Sequence, residues 1–151
     1  NRGGRKILVD CGLYQGVKPL RLRNWESLPI DIAALDAVIL THAHIDHSGY
    51  LPALMTQGFH GPVYCSAGSQ SLCNILLPDA GFLQEEDARV VLKQFKKIPI
   101  NEYVVLKDSG NKSLSFKFTE VGHILGLVRY ILMMVSGVWC LVVMLGVTTM
   151  G

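Results

Sequence analysis

The stretch Ala37-Val-Ile-Leu-Thr-His-Ala-His-Ile-Asp-His-Ser-Gly49 opens on four consecutive apolar residues and then sets three histidines and an aspartate within six positions. An unbroken apolar tetrad is the pattern of a short strand buried on both faces of a sheet. Packing has no use for His42, His44, Asp46 and His47 straight after such a strand, since each polar group left unpaired there costs about 1–3 kcal/mol. A metal ion removes the conflict, because a divalent zinc takes imidazole and carboxylate ligands converging from a rigid frame, with one position kept for water where the site is catalytic. One residue separates His42 from His44, so an extended backbone after Thr41 points both to one side, while a turn at Asp46-His47 aims that pair at a neighbouring ion. Two adjacent metals, roughly 3.5–4 Å apart, are the expectation.

Outward from this run the chain repeats the same device. Ile7-Leu8-Val9 is a second short apolar run that delivers polar residues, Asp10-Cys11-Gly12, at its end. Ser48 is placed to cap a short helix carrying Leu51, Leu54 and Met55, with Pro52 tolerated in its first turn and Gly58 closing it. Pro62-Val-Tyr-Cys65 reads as a third strand. Between Ser69 and Pro99 the pattern turns helical: Ala88, Val91, Leu92 and Phe95 recur at three- and four-residue steps, with Glu85, Glu86 and Asp87 early and Lys93, Lys96 and Lys97 late, an order that suits the helix dipole. Tyr103 to Leu106 and Leu114 to Thr119 form a hairpin, the second strand alternating Leu114, Phe116 and Phe118 with polar residues, and it leads into Gly122-His-Ile-Leu-Gly126. Strands interleaved with helices, and polar residues at strand ends, predict an α/β or α+β layered fold in one unit, which 151 residues, half of them apolar, suffice to build.

A formal net charge of +2 is too small to argue for nucleic acid by bulk electrostatics. Cys11, Cys65, Cys73 and Cys140 stand far apart with no C-x-x-C pair, and read as free thiols of a reducing cytoplasm. No signal peptide opens the chain, and a start without Met directly before a strand reads as a fragment. Tyr130 to Gly151 carries no charge and is long enough to span a bilayer. Two buried strands joined at Ser136-Gly137 are preferred here, a membrane helix comes second, and a tail altered by a frame error or truncation third.

Thr41-His-Ala-His-Ile-Asp-His-Ser-Gly49 resembles the signature of the metallo-β-lactamase superfamily, and Leu8-Val-Asp-Cys-Gly-Leu-Tyr-Gln-Gly16 with Gly122-His-Ile-Leu-Gly126 narrows the resemblance to its β-CASP branch of RNA-processing nucleases. Arg21-Leu-Arg-Asn-Trp25, Gly49-Tyr-Leu-Pro52, Leu77-Pro-Asp79 and Gln84-Glu-Glu-Asp87 also resemble the bacterial exonuclease-type members. The resemblance covers residues 6 to about 126 and implies a metallo-β-lactamase αββα sandwich, here incomplete and lacking the β-CASP domain. It implies that His42, His44 and His123 hold a first zinc, that Asp46 and His47 hold a second, and that Asp10 supports the histidine loop. The implied activity is metal-assisted hydrolysis of RNA phosphodiesters, with Asp46 and His47 at the reacting centre and Asp46 orienting water or accepting its proton, and as a fragment the chain is expected to be weak or inactive alone. RNA is the implied partner; no small-molecule cofactor and no membrane partner are expected, and a homodimer is left open. His60 matches no motif and reads as a surface turn.

The chain departs from the family in one respect that bears on activity. The bridging aspartate of the family's Gly-Asp pair falls at Gly146-Val147, and no Asp or Glu follows Glu120. A missing carboxylate removes negative charge that offsets two dications, so a weaker second metal is expected. Two other functions compete with the nuclease: a thioester or lactam hydrolase sharing the H-x-H-x-D-H run, and a non-catalytic metal-binding or tethered remnant.

Overall fold

The computed structural model describes residues 6–79, 85–107, 113–120 and 128–135. The apolar runs form a parallel sheet in the order β1 (Ile7–Val9), β2 (Ala37–Ile39), β3 (Val63–Cys65) and β4 (Phe95–Lys97). Leu8 lies opposite Val38, Val38 opposite Val63, and Val63 opposite Phe95. A second, antiparallel sheet follows in the order β5 (Tyr103–Lys107), β6 (Ser113–Glu120) and β7 (Val128–Val135).

Period-two alternation sends the parallel strands into two separate cores. Leu8, Val38, Leu40, Val63 and Cys65 face the helices, among them Leu51 and Leu54 of α3 (Leu51–Thr56), Cys73 and Leu77 of α4 (Ala67–Asp79) and Val91 of α5 (Glu85–Lys93). Ile7, Ala37, Ile39 and Tyr64 point the other way and meet Leu114, Phe116 and Phe118 of β6. The Phe116 ring packs edge-on to Tyr64 at a centroid distance of 5.4 Å and against Phe118 at 5.8 Å. The result is helix layer, parallel sheet and antiparallel sheet, the layered α/β fold expected. On β5, Tyr103 and Val105 are half-exposed.

Several expectations need correction. Ser48 does not cap the helix after it: it ends the single turn α2 (Ile45–Ser48), and its hydroxyl donates back to the carbonyls of Ala43 (2.9 Å) and His44 (3.1 Å). Tyr50 stands at the start of α3, with Pro52 in the first turn, and Gly58 follows the helix with φ +102, the left-handed conformation expected of it. The helical reading over 69–99 divides into α4 and α5, and Phe95, Lys96 and Lys97 leave the helix for β4. Pairing with Val63, Tyr64 and Cys65 overrides the three- and four-residue spacing, and Phe95 still buries its ring on the helix side of the sheet. The hairpin at 103–119 forms with Val104 opposite Phe116.

The first of the two strands expected in the apolar tail is β7, paired with β6 from Ser113–Val135 to Glu120–Val128. Residues 136–151, with Cys140 and the Ser136-Gly137 junction, lie outside the described residues. Among the described residues no helix is long and apolar enough to cross a membrane.

Cys11, Cys65 and Cys73 are free and buried. Burial, helped by the nearby Asp10 carboxylate, drives the Cys11 thiol far above its ordinary range, and burial pushes Cys65 and Cys73 up to about 12. At pH 8 these three thiols therefore resist alkylation in the native chain and react in denaturant, a contrast read by peptide mass mapping. Phe116→Ala empties the junction between the sheets and costs about 3–5 kcal/mol in urea unfolding, whereas Tyr103→Ala, at a half-exposed position, costs less than about 1 kcal/mol.

Candidate metal centre

The first element of the site is Asp10, the residue after β1. It is buried at 4% exposure and holds φ +57, a left-handed conformation that aspartate tolerates better than most residues. Its amide donates to the Ile39 carbonyl (2.9 Å), which fixes it against the end of β2. From there its carboxylate collects three donors. The Thr41 amide donates to Oδ1 at 2.7 Å, the Thr41 hydroxyl lies 3.0 Å from Oδ1 and 2.8 Å from Oδ2, and His47 Nδ1 lies 2.8 Å from Oδ2.

Those contacts determine which ring nitrogens remain available. Thr41 has one hydroxyl proton and gives it to Asp10, so its oxygen accepts from His42 Nδ1 at 2.9 Å. His42 thus carries its proton on Nδ1 and turns the Nε2 lone pair outward. His47 likewise commits Nδ1 to Asp10 and leaves Nε2, 3.6 Å from an Asp46 oxygen. A histidine whose second ring nitrogen donates to a carboxylate or another oxygen is the arrangement that orients metal-binding imidazoles. Electrostatics differ between the two rings. Burial, then the neighbouring His47, hold His42 down to about 4, so it is neutral at physiological pH. The hydrogen bond to Asp10 raises His47 above its ordinary value.

His42 Nε2 and His44 Nδ1 lie 3.1 Å apart, with ring centroids at 4.7 Å and planes at 73°. Two nitrogens each about 2.0–2.1 Å from a tetrahedral zinc stand roughly 3.3 Å from one another, so this pair fits such an ion with a shift of tenths of an ångström. The His47 ring sits 4.0 Å from that of His42, and Asp46 is half-exposed on the rim. Two pairs of candidate ligand side chains, His42 with His44 and Asp46 with His47, are therefore adjacent and open to solvent on one side. Among the described residues no group of three or more His, Cys, Asp or Glu side chains is placed to hold a metal ion.

The backbone reason for this layout is the close docking of the segment after β1 on α2. The Cys11 amide donates to the His47 carbonyl (2.6 Å), the Leu13 amide to Ile45 (3.0 Å), and the Tyr50 amide to Cys11 (2.9 Å). A side chain on Gly12 would collide with the Asp46 carbonyl, so only glycine lets the two segments approach. The expected turn at Asp46-His47 is this helical turn, with the His47 and Ser48 amides both donating to the His44 carbonyl.

Of the residues singled out in the sequence, the structure brings together Asp10, His42, His44, Asp46 and His47. His123 and Gly146-Val147 lie outside the described residues. His60 is exposed and lines a separate surface recess with Met55, Thr56, Val90 and Gln94. Two contributors were given no role by sequence reasoning. Thr41 orients His42, and its signal is a hydroxyl residue immediately before the first histidine; Gly12 admits α2, and its signal is a glycine two residues after the strand-end aspartate.

Comparison with known proteins agrees with this geometry. The profile of the metallo-β-lactamase superfamily matches residues 1–141. Ribonuclease TTHA0252 of Thermus thermophilus is 37% identical over 130 residues, 82% of this chain and 28% of that protein. Transcription termination factor FttA of Methanocaldococcus jannaschii is 31% identical over 129 residues, 80% of this chain and 20% of its own length. The Integrator complex subunit 11 homolog of Dictyostelium discoideum is 30% identical over 142 residues, 82% and 18%. The chain therefore spans between 18% and 28% of the length of these relatives.

Among solved structures, the subclass B3 metallo-β-lactamase MEM-A1 from a soil metagenome library superposes with a TM-score of 0.55 at 16% identity, over 88% of this chain and 49% of that one. The Rm3 metallo-β-lactamase gives 0.55 at 20%, over 87% and 47%. At those identities the likeness speaks for the fold alone. With the layered sheets, the paired histidines on a turn after a buried strand, and a profile match over nearly the whole chain, the chain belongs to the metallo-β-lactamase superfamily.

Proposed function

We propose that the chain carries the metal-binding loop of a zinc-dependent hydrolase of RNA phosphodiesters. The observation that carries this reading is the 3.1 Å approach of His42 Nε2 and His44 Nδ1, with the far nitrogens of His42 and His47 committed to Thr41 and Asp10. The ribonuclease similarity supports RNA as the substrate class. His42 and His44, with His123, hold one ion, and Asp46 with His47 holds another. Zinc suits a donor set of four histidines and one aspartate better than magnesium or calcium, which take oxygen. When bound, the ions supply Lewis acidity and a water that ionises near neutral pH.

The chain's own residues have separate duties in that reading. Thr41 keeps the His42 lone pair on Nε2, and Asp10 does the same for His47. Asp46, half-exposed beside His47, holds a water and takes its proton at a carboxylate oxygen. The backbone bonds from Cys11 and Leu13 to α2 keep these groups from drifting. With Val147 standing where the family resemblance places a bridging aspartate, the second ion is held more weakly than the first. The three buried free thiols accord with a reducing cytoplasm.

Zinc titration followed by cleavage of end-labelled single-stranded RNA tests the proposal. One tight and one weaker zinc are expected, with RNA cleaved only slowly by this partial chain and a thioester and nitrocefin left intact. His42→Ala removes the tight zinc and measurable cleavage, and Asp46→Asn slows cleavage about 10²–10⁴-fold. Turnover of the thioester or the lactam without RNA cleavage overturns the assignment. Asp10→Asn keeps the shape but not the carboxylate, and lowers zinc affinity about 10–100-fold in competition with a chelating dye while the circular dichroism is retained.

A further inference from the structure

The segment that leaves the metal loop builds a second feature with its own chemistry. After Leu13 the chain turns at Gly16 (φ +97) into α1 (Lys18–Leu22) and the short 3₁₀ turn Arg23–Trp25. Together these enclose a cleft of about 430 Å³, lined by Gln15, Lys18, Arg21, Asn24 and Trp25 over Leu13 and Tyr14. That volume lies within the roughly 300–1,000 Å³ of small-molecule sites.

Three properties of the cleft point to one class of ligand. It has no acidic lining residue. Arg23 is engaged, its guanidinium 4.7 Å over the Tyr14 ring and 4.0 Å from Glu26, but among the described residues Lys18 and Arg21 make no ion pair. Trp25 is 71% exposed, leaving much of its indole surface accessible to a ligand. Two uncommitted cations beside an exposed indole match the way single-stranded nucleic acid is held, with backbone phosphates on Lys or Arg and a base stacked on an aromatic ring.

The cleft is also built rather than incidental. Buried Asn24 clamps Tyr14 in both directions, accepting from its amide at 2.7 Å and donating to its carbonyl at 3.0 Å. The Tyr50 hydroxyl donates to the Glu26 carbonyl at 2.9 Å and accepts from Gln57 at 2.7 Å. Trp25 is thus fixed from the residue before it and the residue after it. Leu13, the floor, donates its amide to Ile45 of α2 and packs its side chain beside Gly49, so the cleft adjoins the helical turn that carries Asp46 and His47. Because the chain's net charge is only +2, attraction for a polyanion is local to this face and not a property of the whole surface.

We propose that this cleft receives a nucleotide of single-stranded RNA flanking the scissile bond, its base stacked on Trp25 and its phosphates on Lys18 and Arg21. The inference rests on the RNA-hydrolase reading and deepens it, assigning to the cleft the grip on substrate that the metal loop itself does not supply.

Fluorescence anisotropy of a labelled single-stranded RNA of mixed sequence, in EDTA so that neither metal nor cleavage contributes, tests it on the full chain. Trp25→Ala weakens binding about tenfold, and Trp25→Phe restores most of the loss. Lys18→Ala with Arg21→Ala lowers the slope of log affinity against log salt by about 1.4. All these residues are exposed, and unchanged circular dichroism of the variants verifies the fold. If the wild type binds and cleaves RNA and both variants match it, or if duplex RNA binds as well as single strands, the cleft assignment is overturned and the hydrolase reading stands. A zinc-loaded wild type that neither binds nor cleaves RNA overturns the hydrolase reading and the cleft assignment with it.

Discussion

The carboxylate of Asp10 is the constraint on which the site depends. One buried group accepts from the Thr41 amide, the Thr41 hydroxyl and His47, and so connects the end of β1 to both sides of the histidine loop. A buried carboxylate without partners would cost several kcal/mol, and three donors, one of them a histidine whose protonated form it favours, offset that cost. The left-handed turn at Asp10 is sustained by the same contacts, since it is what aims the carboxylate across the sheet end toward β2.

The two sheets contribute by holding that sheet end still. Each parallel strand is only three residues long, yet its two faces are buried in different cores, one against helices and one against the phenylalanines of β6. Short strands fixed on both faces cannot slip register, because a one-residue shift would exchange the two sets of side chains. Asp10 and Thr41 therefore stay opposite each other, and rigid strand ends carry the polar loops of the candidate site.

Much of this was legible in the sequence, for reasons that differ by element. The strand runs at 7–9, 37–40 and 62–65 and the hairpin at 103–119 were readable because burial on two faces, or on one, leaves distinct apolar patterns. Phe95 misled because its spacing from Ala88, Val91 and Leu92 is helical, and only pairing with β3 shows why the chain leaves the helix there. Ser48 misled because a hydroxyl near a helix start serves equally well as a cap or as a donor back to the preceding turn. The histidine run declared itself by density of ligands. The roles of Thr41 and Gly12 did not, because each depends on a partner about thirty residues away in the chain, Asp10 for Thr41 and the Asp46 carbonyl for Gly12.

The clustering of His42, His44, Asp46 and His47 within six residues has a consequence for the order of events during synthesis. Gathering ligands from one short loop costs little closure entropy, unlike a site whose ligands are scattered along the chain. The strands that frame this loop, β1 and β2, and the helical turn α2 precede the remaining helices of the sandwich and the whole second sheet in chain order. If the loop binds metal as proposed, it can capture an ion before the later elements are made, and an ion held there would favour pairing of β1 with β2, because binding free energy at a site absent from the unfolded chain is also folding free energy. The metal would then act on the nascent chain as a folding nucleus before it acts on any substrate.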